Sequence, residues 1–279
     1  MDGNRKALAI RFHEDAALTA TIVEAFRSTG LLDAGYAFVA DLSSMTCGAF
    51  RAAEPIYPAS VIKVPIMAEA FHRFDAGDLS PDDRVTIAGK NLTPTDEPTP
   101  FVSGYVATAG EMVERMITHS DNVATNQLID VLRRERVTAF MRALGLESSF
   151  LGRKLSGAEP FVEDEEMTGR NRLPPDEIGR LLALIALDLV PGASEQRAIL
   201  GRCVDGGKLA AGLCGGDRFM HKTGETSDTN HDAGILFTSS GARYVIVLYT
   251  TSDRSADPSP ASRSNAAMAM WMRRVRQEL

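Results

Sequence analysis

The chain has 279 residues, which is enough for one large domain or two closely packed lobes. Its hydrophobic fraction of 44% and charged fraction of 24% are typical of a soluble globular protein. The net charge of −7 argues against nucleic acid as a partner, because phosphate binding needs a basic face. No run approaches the roughly 20 apolar residues that span a bilayer, so we expect no membrane segment.

The N-terminal residues lack the apolar run of a secretory signal, since Ala7 to Ile10 is followed at once by Arg11. As written, the sequence predicts a cytoplasmic protein, or a periplasmic or secreted one whose upstream signal has been removed.

The first predicted element is a helix from Asp15 to Thr29, with apolar residues at helical spacing and Gly30 as its C-cap. Tyr36 to Leu42 then predicts a buried strand, and Thr46 to Arg51 its hairpin partner.

Helices dominate the middle of the chain, beginning after Ser60. Thr108-Ala109-Gly110-Glu111 has the capping-box pattern and predicts a helix that ends at His119. Asp121 is suited to cap the next helix, so Ser120 and Asn122 should lie on the turn between the two. Pro174-Pro175 predicts a further helix that runs through Leu189.

Strands return at the C-terminal end, over Arg218 to Lys222, Ala233 to Thr238 and Tyr244 to Thr250, before a last helix from Ala261 to Val275. The predicted fold class is therefore α/β (α+β), an antiparallel sheet flanked by N- and C-terminal helices with an inserted all-helical lobe. We expect residues 1–52 and 192–279 to form the sheet lobe and residues 53–191 the helical lobe, with the active site in the cleft between them.

Three short polar clusters carry the chemistry. In Ser60-Val61-Ile62-Lys63, the i and i+3 positions of a helix would bring the lysine amine to the serine hydroxyl. Ser120-Asp121-Asn122 follows sixty residues later, and Lys222-Thr223-Gly224 lies near the C-terminal end. One such cluster occurs often by chance, but three in this order are a specific signal.

The three clusters, in this order, resemble the signature set of penicillin-binding proteins and class A β-lactamases. Their flanks are similar too, from Tyr57-Pro58-Ala59 before the first cluster to Asn230-His231-Asp232-Ala233-Gly234 after the last. The resemblance spans roughly Leu18 to Arg274 and implies a β-lactamase/transpeptidase-like fold with its active site between the lobes.

Acyl transfer needs a nucleophile, a base and a proton relay. Ser60 is the predicted nucleophile, and Lys63 its base if a nearby positive charge and burial lower the lysine pKa. Ser120 could pass the proton to the leaving group, and Lys222 would supply the nearby positive charge.

Four residues are predicted to bind substrate. Thr223, with Lys222, would recognise an anionic group, and Gly224 would allow close approach to the strand. The resemblance implies an oxyanion hole of the backbone N–H groups of Ser60 and Glu225, and a substrate amide held by Asn122.

The step that releases the acyl group is the point of departure from the family. Class A β-lactamases activate water with a glutamate in a loop after the second cluster. Counting back from Pro175 puts this position at Ala158, so Glu159 needs a shift of one residue. Glu159 is the candidate base, and the alternative interpretation is that the acids from Glu163 to Glu166 are simply a solvated loop.

The predicted function is that of a serine hydrolase acting on β-lactams through an acyl-enzyme at Ser60. One alternative is an esterase, amidase or peptidase that acts on another acyl substrate. Another, from a different class, is a penicillin-binding or sensing module that is acylated without turnover. The partner is a small-molecule substrate, and we favour a monomer.

No cofactor or metal is expected, because no histidine and carboxylate spacing suggests metal ligands. The three cysteines should be reduced, with a Cys203–Cys214 bridge as the alternative in an oxidising compartment. We interpret His119, His221, His231 and Asp232 as structural.

Overall fold

The computed structural model describes residues 10–95, 97–157, 162–251 and 260–279. Its helices are α1 Ala16–Thr29, α2 Lys63–Asp75, α3 Ala109–Thr118, α4 Asn122–Leu132, α5 Arg134–Ala143, α6 Pro175–Ala186, α7 Ala193–Leu200 and α8 Pro260–Glu278. Its strands are β1 His13–Glu14, β2 Gly35–Asp41, β3 Thr46–Phe50, β4 Arg84–Thr86, β5 Val106–Thr108, β6 Arg218–Glu225, β7 Thr229–Phe237 and β8 Arg243–Thr251. Short 3₁₀ turns cover Ala59–Ile62, Gly89–Asn91 and Leu209–Gly212.

Local capping fixes the start of three helices, at Thr108 and Asp121 as the sequence predicts and also at Asp15. The Asp15 carboxylate accepts hydrogen bonds from the first turn of α1, and Gly30 ends that helix in the left-handed conformation. Thr108 accepts the N–H of Glu111 at the start of α3. Asp121 accepts the N–H of Ala124 at the start of α4.

Several element boundaries differ from the predictions: β7 begins at Thr229 rather than Ala233, and α8 ends at Glu278 rather than Val275. Helix α6 ends at Ala186 rather than Leu189, because the chain turns at Asp188, whose φ is +57°. Strand β6 continues beyond Lys222 to Glu225, since its ladder with β7 extends to a pairing of Glu225 with Asn230. The whole third cluster therefore lies on a strand rather than at its end.

The main sheet has six strands in the order β1-β3-β2-β8-β7-β6. Every neighbouring pair is antiparallel except β1 with β3, which pair in parallel over two residues. Strands from both ends of the chain thus share one sheet, and the predicted fold class is confirmed. The inserted middle segment is not all-helical as predicted, because β4 and β5 pair there as a two-stranded antiparallel sheet. In the described part of the chain, strand β6 lies at an edge of this sheet, so no further strand pairs with its outer side there.

Apolar side chains cover both faces of the sheet. On one face, α1 and α8 contribute Ile22, Phe26 and Trp271, all fully buried. The other face joins the sheet to the helices of the chain's middle in one continuous core. Helix α6 packs directly on β2, β7 and β8 in this second layer. The lobe boundaries given above stay a prediction.

Within the described ranges, no helix combines the length and apolarity needed to cross a bilayer. Cys47, Cys203 and Cys214 are free thiols, with Cys47 buried and Cys214 exposed.

A carboxyl group inside α2 makes stability depend on pH. Glu69 is buried, and its Oε2 lies 3.5 Å from His72 Nδ1. Burial raises the pKa of Glu69 to about 7, although Arg73 and Arg136 oppose the shift and Asp78 adds to it.

We predict that Glu69→Gln stabilises the protein above neutral pH. Folding raises the pKa of Glu69 from 4.5 to about 7, so between these pH values the folded state binds more protons than the unfolded state. The free-energy cost of burying the Glu69 carboxylate therefore grows as pH rises through this range. The free energy of unfolding of Glu69→Gln, relative to wild type, should therefore increase by roughly 1–3 kcal/mol between pH 4.5 and pH 8. Urea denaturation at both pH values measures this difference, and a constant difference would contradict the assignment.

Candidate active site

The three predicted clusters meet around one cavity of about 580 Å³. Its walls are formed by the turn Ala59–Ile62 that carries Ser60 (the nucleophile turn), the turn between α3 and α4, strand β6, and the loop of residues 203–208. Its lining includes Ser60, Ser120, Lys208, Lys222, Gly224 and Glu225.

Ser60 lies on a 3₁₀ turn rather than in the first turn of an α-helix. Residues i and i+3 of a 3₁₀ turn eclipse one another, and the Lys63 N–H donates to the Ser60 carbonyl. The backbone therefore brings Ser60 and Lys63 together in a tighter geometry than an α-helix gives, and the contact of the lysine amine with the serine hydroxyl stays a prediction. Ala59, immediately before Ser60, has φ +46°, a strained conformation of the kind that concentrates at functional sites.

Lys63 connects the first two clusters. Its side chain is fully buried, and Nζ lies 2.7 Å from Ser120 O, 3.0 Å from Ser120 Oγ and 2.8 Å from Asn122 Oδ1. The backbone carbonyl and the amide oxygen can only accept hydrogen bonds, whereas the hydroxyl can donate or accept. A neutral amine would thus give two protons to the fixed acceptors and keep its lone pair for a hydroxyl proton.

Ser120 reaches this position through backbone strain. It lies between the end of α3 and the Asp121 N-cap of α4, and its φ is +55°. This left-handed conformation costs a non-glycine residue of order 1–3 kcal/mol and persists only where the surroundings enforce it. Here both the carbonyl and the hydroxyl of Ser120 contact the buried Lys63 amine.

Strand β6 passes directly beside the nucleophile turn. A Cβ added to Gly224 would lie 2.9 Å from Pro58 O and 3.0 Å from Ser60 N, so no larger residue fits. The Thr226 N–H donates to Thr229 O of β7, and N–H groups alternate in direction along a strand. The Glu225 N–H therefore points away from the sheet, towards the cavity that Ser60 also lines.

The side chain of Lys222 on β6 is buried, and its Nζ donates a hydrogen bond to Thr223 O at 2.9 Å. Burial lowers the pKa of Lys222, and the neighbouring Lys208 ammonium lowers it further, while Cys203 and Asp205 act in the opposite direction.

Among the charged residues of the cavity that the sequence analysis missed are Lys208 and Asp205. Lys208 is 1% exposed, and its Nζ lies 3.3 Å from Gly224 O, 3.2 Å from Glu225 Oε2 and 3.8 Å from Asp205 Oδ2. Burial raises the pKa of Asp205, but Lys208 and hydrogen bonds from Gly207 and Thr223 lower it more, so it stays below its ordinary value. No spacing pattern marks these residues, because a loop brings them to β6.

Three of the four residues interpreted as structural hold the site's backbone in place, whereas His119 lines the cavity. Asp232 is fully buried, and its carboxylate contacts His221 Nδ1 at 2.8 Å and accepts the Leu209 N–H at 3.0 Å. His231 stacks on Tyr249, and its Nε2 lies 3.0 Å from the carbonyl of Tyr57, three residues before the nucleophile.

The loop after α5 is anchored by two buried side chains. Asn126 exchanges two 2.8 Å hydrogen bonds with the backbone of Leu155. Arg134, 3% exposed, binds both carboxylate oxygens of Asp164, at 2.7 and 3.1 Å. The alternative of a simply solvated acidic loop is therefore wrong at Asp164, because buried Arg134 requires a counterion. Glu159 lies outside the described residues.

Six of the eight predicted site residues line this cavity, and the other two are buried beside one of its walls. Ser60, Ser120, Lys222, Thr223, Gly224 and Glu225 line it, while Lys63 and Asn122 lie buried and bonded to each other beside the α3–α4 turn. In the described part of the chain, no group of histidine, cysteine and carboxylate side chains is arranged to hold a metal ion.

Comparisons with known proteins identify relatives over nearly the whole chain. The model of the beta-lactamase enzyme family matches residues 18–274. A beta-lactamase from Rhodobacter capsulatus is 28% identical over 205 residues, which cover 71% of this chain and 68% of that protein.

Two solved structures illustrate the similarity of fold. An ancestral class A beta-lactamase (GNCA) superposes with a TM-score of 0.80 at 26% identity, covering 94% of this chain and 100% of the other. A leucine-to-glutamate mutant of PBP-A, solved as an acyl-enzyme complex with penicillin G, has a TM-score of 0.80 at 24% identity, covering 96% and 98%.

His231 should make the protein sensitive to acid. Burial lowers its pKa from 6.5 to about 4, so between these values the unfolded state binds more protons and stability is lost as pH falls. We predict that the free energy of unfolding of wild type, relative to His231→Gln, falls by roughly 2–4 kcal/mol between pH 7 and pH 4. Urea denaturation of both proteins tests this, and a difference independent of pH would refute it. The Glu69 effect has the opposite sign and cancels in the comparison.

Proposed function

The chain belongs to the beta-lactamase enzyme family, and we propose that it is a serine hydrolase that opens β-lactams through an acyl-enzyme at Ser60. The observation that carries the proposal is the environment of Lys63. Its amine is buried, has two fixed acceptors, and contacts the Ser120 hydroxyl beside the cavity that Ser60 lines. A base held in this way can take a hydroxyl proton without exposure to bulk water.

The reaction follows from this arrangement in balanced steps. The Ser60 oxygen attacks the lactam carbonyl carbon, and its proton moves to the Lys63 amine. The C–N bond of the lactam breaks, and the proton reaches the leaving nitrogen through the Ser120 hydroxyl. The carbonyl oxygen, negative in the tetrahedral intermediate, would accept hydrogen bonds from the N–H groups of Ser60 and Glu225. Water then cleaves the ester and regenerates Ser60.

A substrate carboxylate would bind beside β6. Lys222 and the Thr223 hydroxyl lie on the cavity wall next to the proposed oxyanion hole. Penicillins and cephalosporins carry a carboxylate adjacent to the lactam nitrogen, which suits a cationic wall at this edge.

One observation favours a second candidate function, a penicillin-binding protein that releases its acyl group slowly. Asn122 and Asn126 lie one turn apart on α4, and the segment from Leu155 to Gly157 runs along them to the cavity wall. The residue of this segment whose backbone Asn126 binds is Leu155. Its apolar side chain has no group that could activate a water molecule. The acyl-enzyme that this alternative requires is one that the similar fold of PBP-A forms, since its leucine-to-glutamate mutant was solved as an acyl-enzyme complex with penicillin G.

Intact-protein mass spectrometry after penicillin G treatment tests the proposed function. We expect wild type to gain the mass of one penicillin, and Ser60→Ala to gain none because the attacking oxygen is absent. Lys63→Met should acylate about 10²- to 10⁴-fold more slowly, the usual effect of removing a general base. Circular dichroism confirms that both variants fold. A wild type that neither gains an adduct nor consumes penicillin G, or undiminished labelling of folded Ser60→Ala, would contradict the proposal.

Leu155→Glu tests which of the two functions applies. If release is slow because Leu155 supplies no base, a carboxylate there should raise steady-state hydrolysis of a chromogenic cephalosporin by at least about tenfold. Leu155→Gln is the matched control, since it adds similar polarity without a base and should leave turnover unchanged.

Acylation rates measured alongside show whether either variant has disturbed the Ser60 environment. Rapid multiple turnover by wild type, or equal acceleration by both variants, would contradict the slow-release function and favour hydrolysis assisted by another group.

A further inference from the structure

A buried cation contacts the peptide that supplies half of the proposed oxyanion hole. The Gly224 carbonyl accepts a hydrogen bond from Lys208 Nζ at 3.3 Å. The N–H at the other end of this same peptide unit belongs to Glu225 and points towards the cavity. In a trans peptide the C=O and N–H point in opposite directions, so a cation on the oxygen lies in line with a donor on the nitrogen.

The fold holds the Lys208 ammonium firmly. Its side chain is 1% exposed, and the N–H of the next residue, Leu209, is fixed by the buried carboxylate of Asp232. Asp205 and Glu225 place carboxylate oxygens 3.8 and 3.2 Å from Nζ. These acids offset the cost of burying the charge, and the amine keeps its contact with the carbonyl.

We propose that Lys208 is a positioning residue for the oxyanion hole: by bonding the Gly224 carbonyl it fixes the Gly224–Glu225 peptide plane and polarises it, so that the Glu225 N–H becomes a stronger donor. Hydrogen bonds to charged groups are roughly twice as strong as neutral ones, and linked hydrogen bonds polarise one another. The effect matters most where negative charge develops, on the tetrahedral intermediate rather than on the bound substrate. This inference rests on the proposed function, since it assumes acyl transfer at Ser60.

The test separates stabilisation of the transition state from substrate binding. A phenylboronic acid forms a tetrahedral, anionic adduct with a reactive serine and so probes the oxyanion hole. We expect Lys208→Met to weaken its affinity and slow acylation by penicillin G by about tenfold each. Penicillin G binding, measured in a Ser60→Ala background by titration, should be unchanged when Lys208→Met is added.

Two variants control for loss of structure. Lys208→Arg keeps a cation that can donate to the same carbonyl, and we expect it to recover most of the boronate affinity. Lys154→Met also removes a buried lysine, one paired with Asp130 at 2.7 Å, and should lower the melting temperature without changing boronate affinity.

Three results would overturn the proposal. The first is undiminished boronate affinity in folded Lys208→Met. The second is an equal loss of penicillin G affinity in the Ser60→Ala background, which would make Lys208 a direct contact of the substrate. The third is a wild type that neither acylates nor binds boronate, which would also remove the proposed function. In the first two results wild type is still acylated, so they leave the proposed function standing.

Discussion

The active site depends on the requirement that a buried lysine amine be hydrogen-bonded. Lys63 lies at the start of α2 with its side chain fully enclosed, so its nitrogen needs polar partners inside the protein. The α3–α4 turn provides them, through the carbonyl and hydroxyl of Ser120 and the amide oxygen of Asn122. This contact aligns two segments of the chain that are almost sixty residues apart, and it accounts for the left-handed backbone of Ser120.

A second constraint is the close approach of strand β6 to the nucleophile turn. Gly224 leaves space for the backbone of Ser60, and the exposed edge of β6 directs the Glu225 N–H into the cavity. In the proposed reaction, Lys63 and this strand edge would have complementary functions on either side of the Ser60 hydroxyl. The lysine side can remove and return a proton, and the strand side can stabilise the negative charge that results.

Features determined by neighbouring residues were accessible from the sequence. The caps at Asp15, Thr108 and Asp121 act over two or three residues, and their helices begin as predicted. The eight site residues belong to clusters whose order is itself informative, and these clusters share one cavity. The predicted end of α6 was wrong by three residues, because the turn at Asp188 contains no glycine that would indicate it in the sequence.

Features determined by long-range contact were not accessible. Lys208 reaches Gly224 only because a loop folds back onto β6, and its neighbours in the sequence give no sign of this. Asp164 stands in a run of acids that resembles a solvated loop, yet it binds Arg134, thirty residues away. Likewise, counting back from Pro175 placed the position of the water-activating glutamate at Ala158 or Glu159. In the structure, the residue of this segment that Asn126 binds is Leu155.

In the proposed reaction, Lys63 and the β6 edge act on opposite sides of the Ser60 oxygen. A crystal structure of the protein soaked with penicillin G tests it most directly. The account predicts an ester at Ser60 Oγ, with the acyl carbonyl oxygen within 3.2 Å or so of both the Ser60 and Glu225 nitrogens. We also expect Lys63 Nζ to stay within hydrogen-bonding distance of Ser60 Oγ, which is now the ester oxygen, or of Ser120 Oγ. Density for an acyl group on another side chain, or an ester whose carbonyl points away from β6, would contradict the account.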